Sequence, residues 1–224
     1  MDLLFTPAKL GTCELKNRIV RSATNGHLSD EKGQVTPLWA DTLIELAKNE
    51  VGLVITGHFC VDKMQRADVG QPVLDETTDE SLLRRACDGV HRYGGKLFFQ
   101  LSHSGIKGVE SVNGAPPKHP EDFTREELDR LVEQFAFAAK KCKESGADGV
   151  QVSGIDFNRR AGQKTPFYLD ALICEPDFAA KLKSGAQDGS KCLACNGCYT
   201  IYRKRFVRCV QHQDEIEQFK TIPW

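Results

Sequence analysis

The segment Lys96-Leu-Phe-Phe-Gln-Leu-Ser-His-Ser-Gly105 decides how the chain is read. Leu97, Phe98 and Phe99 form a short apolar run behind the Gly94-Gly95 pair. A run without polar alternation is the pattern of a strand buried on both faces, as in a parallel sheet. It then turns polar, with Gln100, Ser102, His103 and Ser104 ahead of Gly105. Such an ending sets hydrogen-bonding side chains at the rim of the sheet. In parallel α/β folds, ligands bind at that rim, the carboxyl ends of the strands. From these residues alone, Gln100 and His103 read equally well as ligand contacts or as partners for loop backbone.

Upstream, Asn17 to Ala23 gives a short strand running into small and polar residues, and residues 1–16 read as a small hairpin or cap. Thr36-Pro37 is an N-cap followed by proline at the first helical position, opening a helix to about Asn49. Leu38, Leu43, Leu46 and Ala47 are on its inner side. Val51-Gly-Leu-Val-Ile-Thr-Gly57 is a β-branched strand stopped by glycine. After a turn-rich excursion, Asp79 begins a second helix, which ends at Tyr93-Gly94-Gly95. Downstream, residues 106–123 read as a loop with three prolines. Thr124-Arg-Glu-Glu127 is a capping box, and Leu128, Leu131, Val132, Phe135, Ala139 and Cys142 keep helical spacing behind it. Asp148 to Val152 is a fourth strand. The order β-α-β-α-β-α-β suits either an open doubly wound sheet or a (β/α)8 barrel. No Gly-x-Gly-x-x-Gly follows any strand, against a dinucleotide-binding Rossmann domain.

The chain has 224 residues, 40% hydrophobic and 27% charged, with a formal net charge of −1. That balance suits a globular protein and does not favour nucleic acid or an anionic membrane as partner. Its longest apolar runs are too short to span a bilayer, and the N-terminus lacks the features of a signal peptide. The nine cysteines are odd in number and five are scattered, which reads as a reducing, cytoplasmic setting.

Four segments carry a family resemblance: Leu15-Lys-Asn-Arg-Ile-Val20, Val51 to Gly57, Gly95 to Gly105 and Gly146-Ala-Asp-Gly-Val-Gln151. In this order and at these distances, residues 1–152 resemble the N-terminal half of the Old Yellow Enzyme family, FMN-dependent NAD(P)H:flavin oxidoreductases and ene-reductases. The resemblance implies a TIM-type (β/α)8 barrel with FMN at its C-terminal face. It implies hydride transfer from NAD(P)H through the flavin to an activated alkene or enone. Carried over by position, Ser22, Ala23 and Thr24 lie beside the flavin after the first barrel strand. Gly57 and His58 line it after the second, and Gln100 hydrogen-bonds the isoalloxazine edge after the third.

The chain departs from the family pattern after Val152. The fourth strand runs Gln151-Val-Ser-Gly-Ile-Asp156, with neither the family's histidine pair nor its tyrosine. The glycine-rich phosphate loop is missing, and Asp170 stands where an arginine would help hold the phosphate. Ala171 to Asp177 and Lys191 to Cys198 resemble the segments that follow the eighth strand. A barrel takes about 250 residues, and 72 residues cannot hold four more βα units of about 30 residues each. The expectation is therefore an α/β chain forming an incomplete barrel. Residues 1–152 are its N-terminal half, and 153–224 are a shortened remnant of the later barrel with an irregular, Cys-rich tail. Cys192-x-x-Cys195-x-x-Cys198, with Cys209 further on, has metal-type spacing. Four thiolates suit zinc or an iron–sulfur cluster; longer family members bind a 4Fe–4S cluster here, with a third spacing one residue longer. Two other readings stand beside the flavoenzyme: a non-catalytic truncated paralogue or interaction module that pairs with another chain, a homo-oligomer being one form of that pairing, and a small metal-binding protein.

Overall fold

The computed structural model describes residues 2–154, 175–188 and 190–192. A short antiparallel hairpin, β1 (Ala8–Leu10) with β2 (Cys13–Leu15), precedes a four-stranded parallel sheet. The sheet contains β3 (Val20–Arg21), β4 (Leu53–Cys60), β5 (Lys96–His103) and β6 (Gly149–Gly154). The helices are α1 (Pro37–Lys48), α2 (Glu80–Arg92), α3 (Glu110–Asn113), α4 (Arg125–Glu144) and α5 (Phe178–Ser184). The strands lie in space in the order β3-β4-β5-β6, the same as their order in the chain. A doubly wound sheet reverses its order part-way, whereas a (β/α)8 barrel does not. The sheet therefore matches half of a barrel, and among the described residues it does not close.

Local chemistry sets each helix. Thr36 caps α1 by accepting from the Trp39 N–H, with Pro37 in the first turn. Asp79 accepts from the Ser81 N–H at the start of α2. Thr124 and Glu127 form a reciprocal capping box on α4. Their apolar stripes meet the outward-facing rows of the sheet. Trp39, Leu43, Leu46, Leu83, Ala86 and Val90 join Val54, Leu97, Phe99 and Leu101 in one buried cluster. At its centre Trp39 meets Phe59 edge-on with ring centroids 5.7 Å apart, and Phe59 lies 5.4 Å from Phe99. Fully burying each such side chain contributes about 1.5–3 kcal/mol.

At the amino-terminal end of the sheet, Asp148 accepts from Lys96 Nζ at 2.8 Å and from the Leu97 N–H at 2.9 Å, and it pairs with His91 at 2.7 Å. Burial pushes its carboxyl upward, but these three donors outweigh burial and hold it below the usual carboxylate range. The segment after the undescribed stretch returns to the same core. Phe178 and Ala179 of α5 are buried in it, and Lys183 pairs with Glu50 at 3.0 Å.

Four details differ from the sequence reading. Strand β4 does not stop at Gly57 but continues to Cys60. A β-bulge between Ile55 and His58 absorbs one extra residue, so glycine marks an irregularity rather than an end. On α1, Trp39 is buried and Leu38 only half-buried. The 106–123 loop contains the short helix α3. On α4, Leu128 and Val132 are 44% and 69% exposed, because β6 is the last described strand of the sheet.

Candidate functional site

Residues from all four strands meet along the inner side of the sheet, toward its carboxyl end. Ser22, Ala23 and Thr24 follow β3 in irregular, half-buried chain. The Arg21 guanidinium donates to Thr24 Oγ1, and that hydroxyl donates to the Ser22 carbonyl at 3.2 Å. Gly57 lies against this segment. A Cβ there would come within 2.6 Å of the Thr24 carbonyl oxygen and 2.8 Å of Asn25 Cα. The bulge and the glycine together let the chain after β3 lie directly on β4.

In register, His58 of β4 stands opposite Gln100 of β5, and Gln100 stands opposite Gln151 of β6. The Gln100 amide donates to Gln151 Oε1 at 2.7 Å, and the Gln100 N–H donates to Thr56 Oγ1 at 3.1 Å. One row below, the Phe98 ring covers Gly149, where a Cβ would lie 2.9 Å from the ring. Gln151 escaped the sequence reading as a site residue. Its signal was present: it ends the fourth matching segment, and the strand period of two puts it on the face opposite Val150 and Val152.

His58 is held from one side. Gln71 is fully buried, and its amide donates to His58 Nδ1 at 2.7 Å while its oxygen accepts from the Ala67 N–H at 2.6 Å. Ser102 Oγ lies 3.1 Å from the same nitrogen. An Nδ1 that accepts leaves the ring proton on Nε2 of a neutral imidazole. Burial drives the His58 pKa down, only partly opposed by Asp68. Both effects keep this histidine uncharged.

The structure separates the two residues that the sequence left open. His103 accepts from the Gly105 N–H at 3.1 Å and packs edge-on against Phe123. It serves the loop, whereas Gln100 offers its amide to the inner face. At the end of β6, Ser153 and Gly154 stand opposite Ser102 and His103. The row therefore offers amides, hydroxyls and one neutral imidazole. These groups orient a ligand by hydrogen bonding, and among them no carboxylate or cationic histidine is placed for proton transfer.

A cavity of about 70 Å³ lies behind the rim, bordered by Arg21, Thr24, Trp39, Leu43 and Gly57. Ligand pockets typically enclose 300–1,000 Å³, so this cavity alone is too small for a flavin-sized ligand. Of the four candidate metal ligands, Cys192 is described, its N–H donating to Ser190 Oγ at 3.0 Å. Cys195, Cys198 and Cys209 lie outside the described residues. Among the described residues, no group of three His, Cys, Asp or Glu side chains is arranged to hold a metal. No described helix is long and apolar enough to cross a membrane.

Residues 3–156 match the model of the NADH:flavin oxidoreductase / NADH oxidase family. A metal reductase of Desulforamulus reducens is 34% identical over 169 residues, covering 68% of this chain and 24% of that protein. Two solved structures share the fold. A 2-naphthoyl-CoA reductase complex superposes with a TM-score of 0.62 at 24% identity, over 67% of this chain and 27% of that one. An old yellow enzyme homologue from Zymomonas mobilis gives 0.60 at 23% identity, over 66% and 47%. The chain spans from 24% to 48% of the length of such curated relatives.

Proposed function

The chain belongs to the NADH:flavin oxidoreductase / NADH oxidase family, and from that membership we propose that its inner rim binds FMN through the isoalloxazine ring. The observation that carries this reading is the convergence of Thr24, Gly57, His58, Gln100 and Gln151 on one rim of the half barrel. The residues present fit that part of the cofactor. The Gln100 amide already donates to a second amide at 2.7 Å. An amide both donates and accepts, as the pyrimidine edge of a flavin requires. Ser22, Ala23 and Thr24 are small enough for a planar ring to approach the backbone. His58, neutral and fixed by Gln71, lines the ring without adding charge. Bound FMN supplies hydride transfer between NAD(P)H and an activated alkene or enone, and the protein supplies its orientation.

We read residues 1–152 as the half that faces the ring and 153–224 as the remnant of the later barrel. By the family resemblance, Asp170 occupies the sequence position of an arginine that would help hold the phosphate, and a carboxylate repels a phosphate dianion. FMN and riboflavin are therefore expected to bind with similar, weak affinity. A titration that finds FMN binding a hundredfold tighter than riboflavin would refute the missing phosphate contact. Ser153 and Gly154 at the end of β6 support a second reading, in which flavin is bound without alkene reduction. NADPH-dependent loss of an enone by the purified, FMN-supplemented chain would decide against it. Zinc or an iron–sulfur cluster on Cys192, Cys195, Cys198 and Cys209 is a separate proposal, supported by spacing; metal-free protein on elemental analysis would end it. We infer a reducing, cytoplasmic setting from Cys60, Cys87 and Cys142, which are buried as free thiols.

A further inference from the structure

Among the described residues the sheet has four parallel strands, and its two outer strands complement each other. We propose that two copies of this chain join edge to edge, β6 of each beside β3 of the other, and complete an eight-stranded barrel.

Three observations lead to a second copy as the occupant. The first is strand number and direction. A barrel of this type closes with eight parallel strands, and the described residues of each copy bring four in sequential order. A twofold axis along the barrel axis sets β6 of one copy beside β3 of the other with the same direction, so both joints form at once and no strand is reversed. The second is the chemistry of the two edges. Val150 and Val152 on β6 are 39% and 67% exposed, and Val20, on the inner face of β3, is 37% exposed. Val150 and Val152 stand opposite Phe99 and Leu101 in register, on the helix-facing side of the sheet. They are core residues by pattern that stand exposed. The third is the position of α5. Lys183 pairs with Glu50, and the Asn17 side chain donates to the Glu50 carbonyl, which ties α5 to the chain entering β3. In the paired assembly α5 of one copy flanks the joint at which the partner's β6 arrives, and it can cover the exposed valines. The exposed Leu128 and Val132 of α4 continue the same apolar margin.

This arrangement rests on the strand order and the exposed edges, not on the flavin reading. It also gives the rim of Gln100 and Gln151 an opposite wall, built from the partner's copy of the same rim.

The test is sedimentation of the full chain at micromolar concentration. The expected mass is twice 24.9 kDa. Val152→Lys places a charge on a side chain that is already two-thirds exposed, so it leaves the fold intact and shifts the protein to monomer. Far-UV circular dichroism of the variant separates loss of pairing from loss of folding. A photo-crosslinking residue at position 152, in a mixture of isotopically light and heavy copies, is expected to label residues 17–24 of the other copy. A wild-type monomer, a dimer that survives Val152→Lys, or a cross-link confined to one copy would each overturn the proposal. Saturation of the edge by a different protein, leaving the chain monomeric alone, would do the same.

Discussion

The middle of the sheet and its β6 margin use the same unit, a helix packed on a strand, with opposite results. At the middle, α2 buries Leu83, Ala86, Cys87 and Val90 completely. At the margin, α4 is longer, at 20 residues, and has the better N-terminal cap, yet it buries only Ala138 and Cys142. Propensity and capping therefore do not set the difference. A helix on a parallel sheet needs strands beneath both flanks, and β6 is the last described strand beneath α4. Stability is concentrated where each element has two neighbours.

The largest effect that tests this contrast is expected from Phe99→Ala. Phe99 is fully buried and 6.1 Å from the Trp39 ring centre, so truncation is expected to cost about 3–5 kcal/mol by denaturant unfolding. A loss below about 1 kcal/mol would contradict a core centred on β5. Asp148→Asn comes next, because it removes a charge that holds Lys96, His91 and the Leu97 N–H together. Hydrogen bonds to charged groups contribute about 1.5–3 kcal/mol each, and a loss near the lower figure is expected. Because the carboxyl is held low in the fold, the stabilisation is present above the ordinary carboxylate range and disappears as pH falls through the folded value.

The pH response at the rim has a different window. Burial lowers both His58 and His103 below the ordinary histidine range. Below about pH 6.5 the unfolded chain takes up protons that the folded chain refuses, so stability falls on acidification by up to about 1.4 kcal/mol per pH unit for each histidine. His58→Asn is expected to flatten that slope between pH 6.5 and 5; an unchanged slope would mean that His58 titrates normally in the fold. The smallest effect belongs to the margin. Val132→Ser, at a side chain 69% exposed, is expected to change monomer stability by less than about 0.5 kcal/mol, and a larger loss would show Val132 packed against part of the chain.

Much of this architecture was legible in particular residues. Thr36-Pro37, Asp79 and Thr124 announced three helix starts that the structure keeps. Glycine was the misleading signal. Gly57 looked like the end of a strand, but its role is to admit the Thr24–Asn25 backbone against a bulged strand that continues. That contact joins residues more than thirty positions apart, which local reading does not reach. Leu128 and Val132 carried a correct helical period, but a period states which face is apolar and not whether a neighbour covers it. Gln100 was found because it ends an apolar run. Gln151 stands in the same strand row, and its pairing with Gln100 joins residues more than fifty positions apart, beyond the reach of local pattern. His103 shared the polar ending of β5 with Gln100, and only its position relative to Gly105 and Phe123 separates their roles.

The most direct test of the rim is a titration of FMN fluorescence with the wild-type chain and with Gln100→Leu. Saturable binding is expected. The variant removes one neutral amide contact of about 0.5–1.5 kcal/mol and is expected to bind roughly two- to tenfold more weakly, with its circular dichroism unchanged. Absence of saturable binding by the wild type, or equal affinity of the two proteins, would contradict the assignment of Gln100 as the residue that meets the flavin edge.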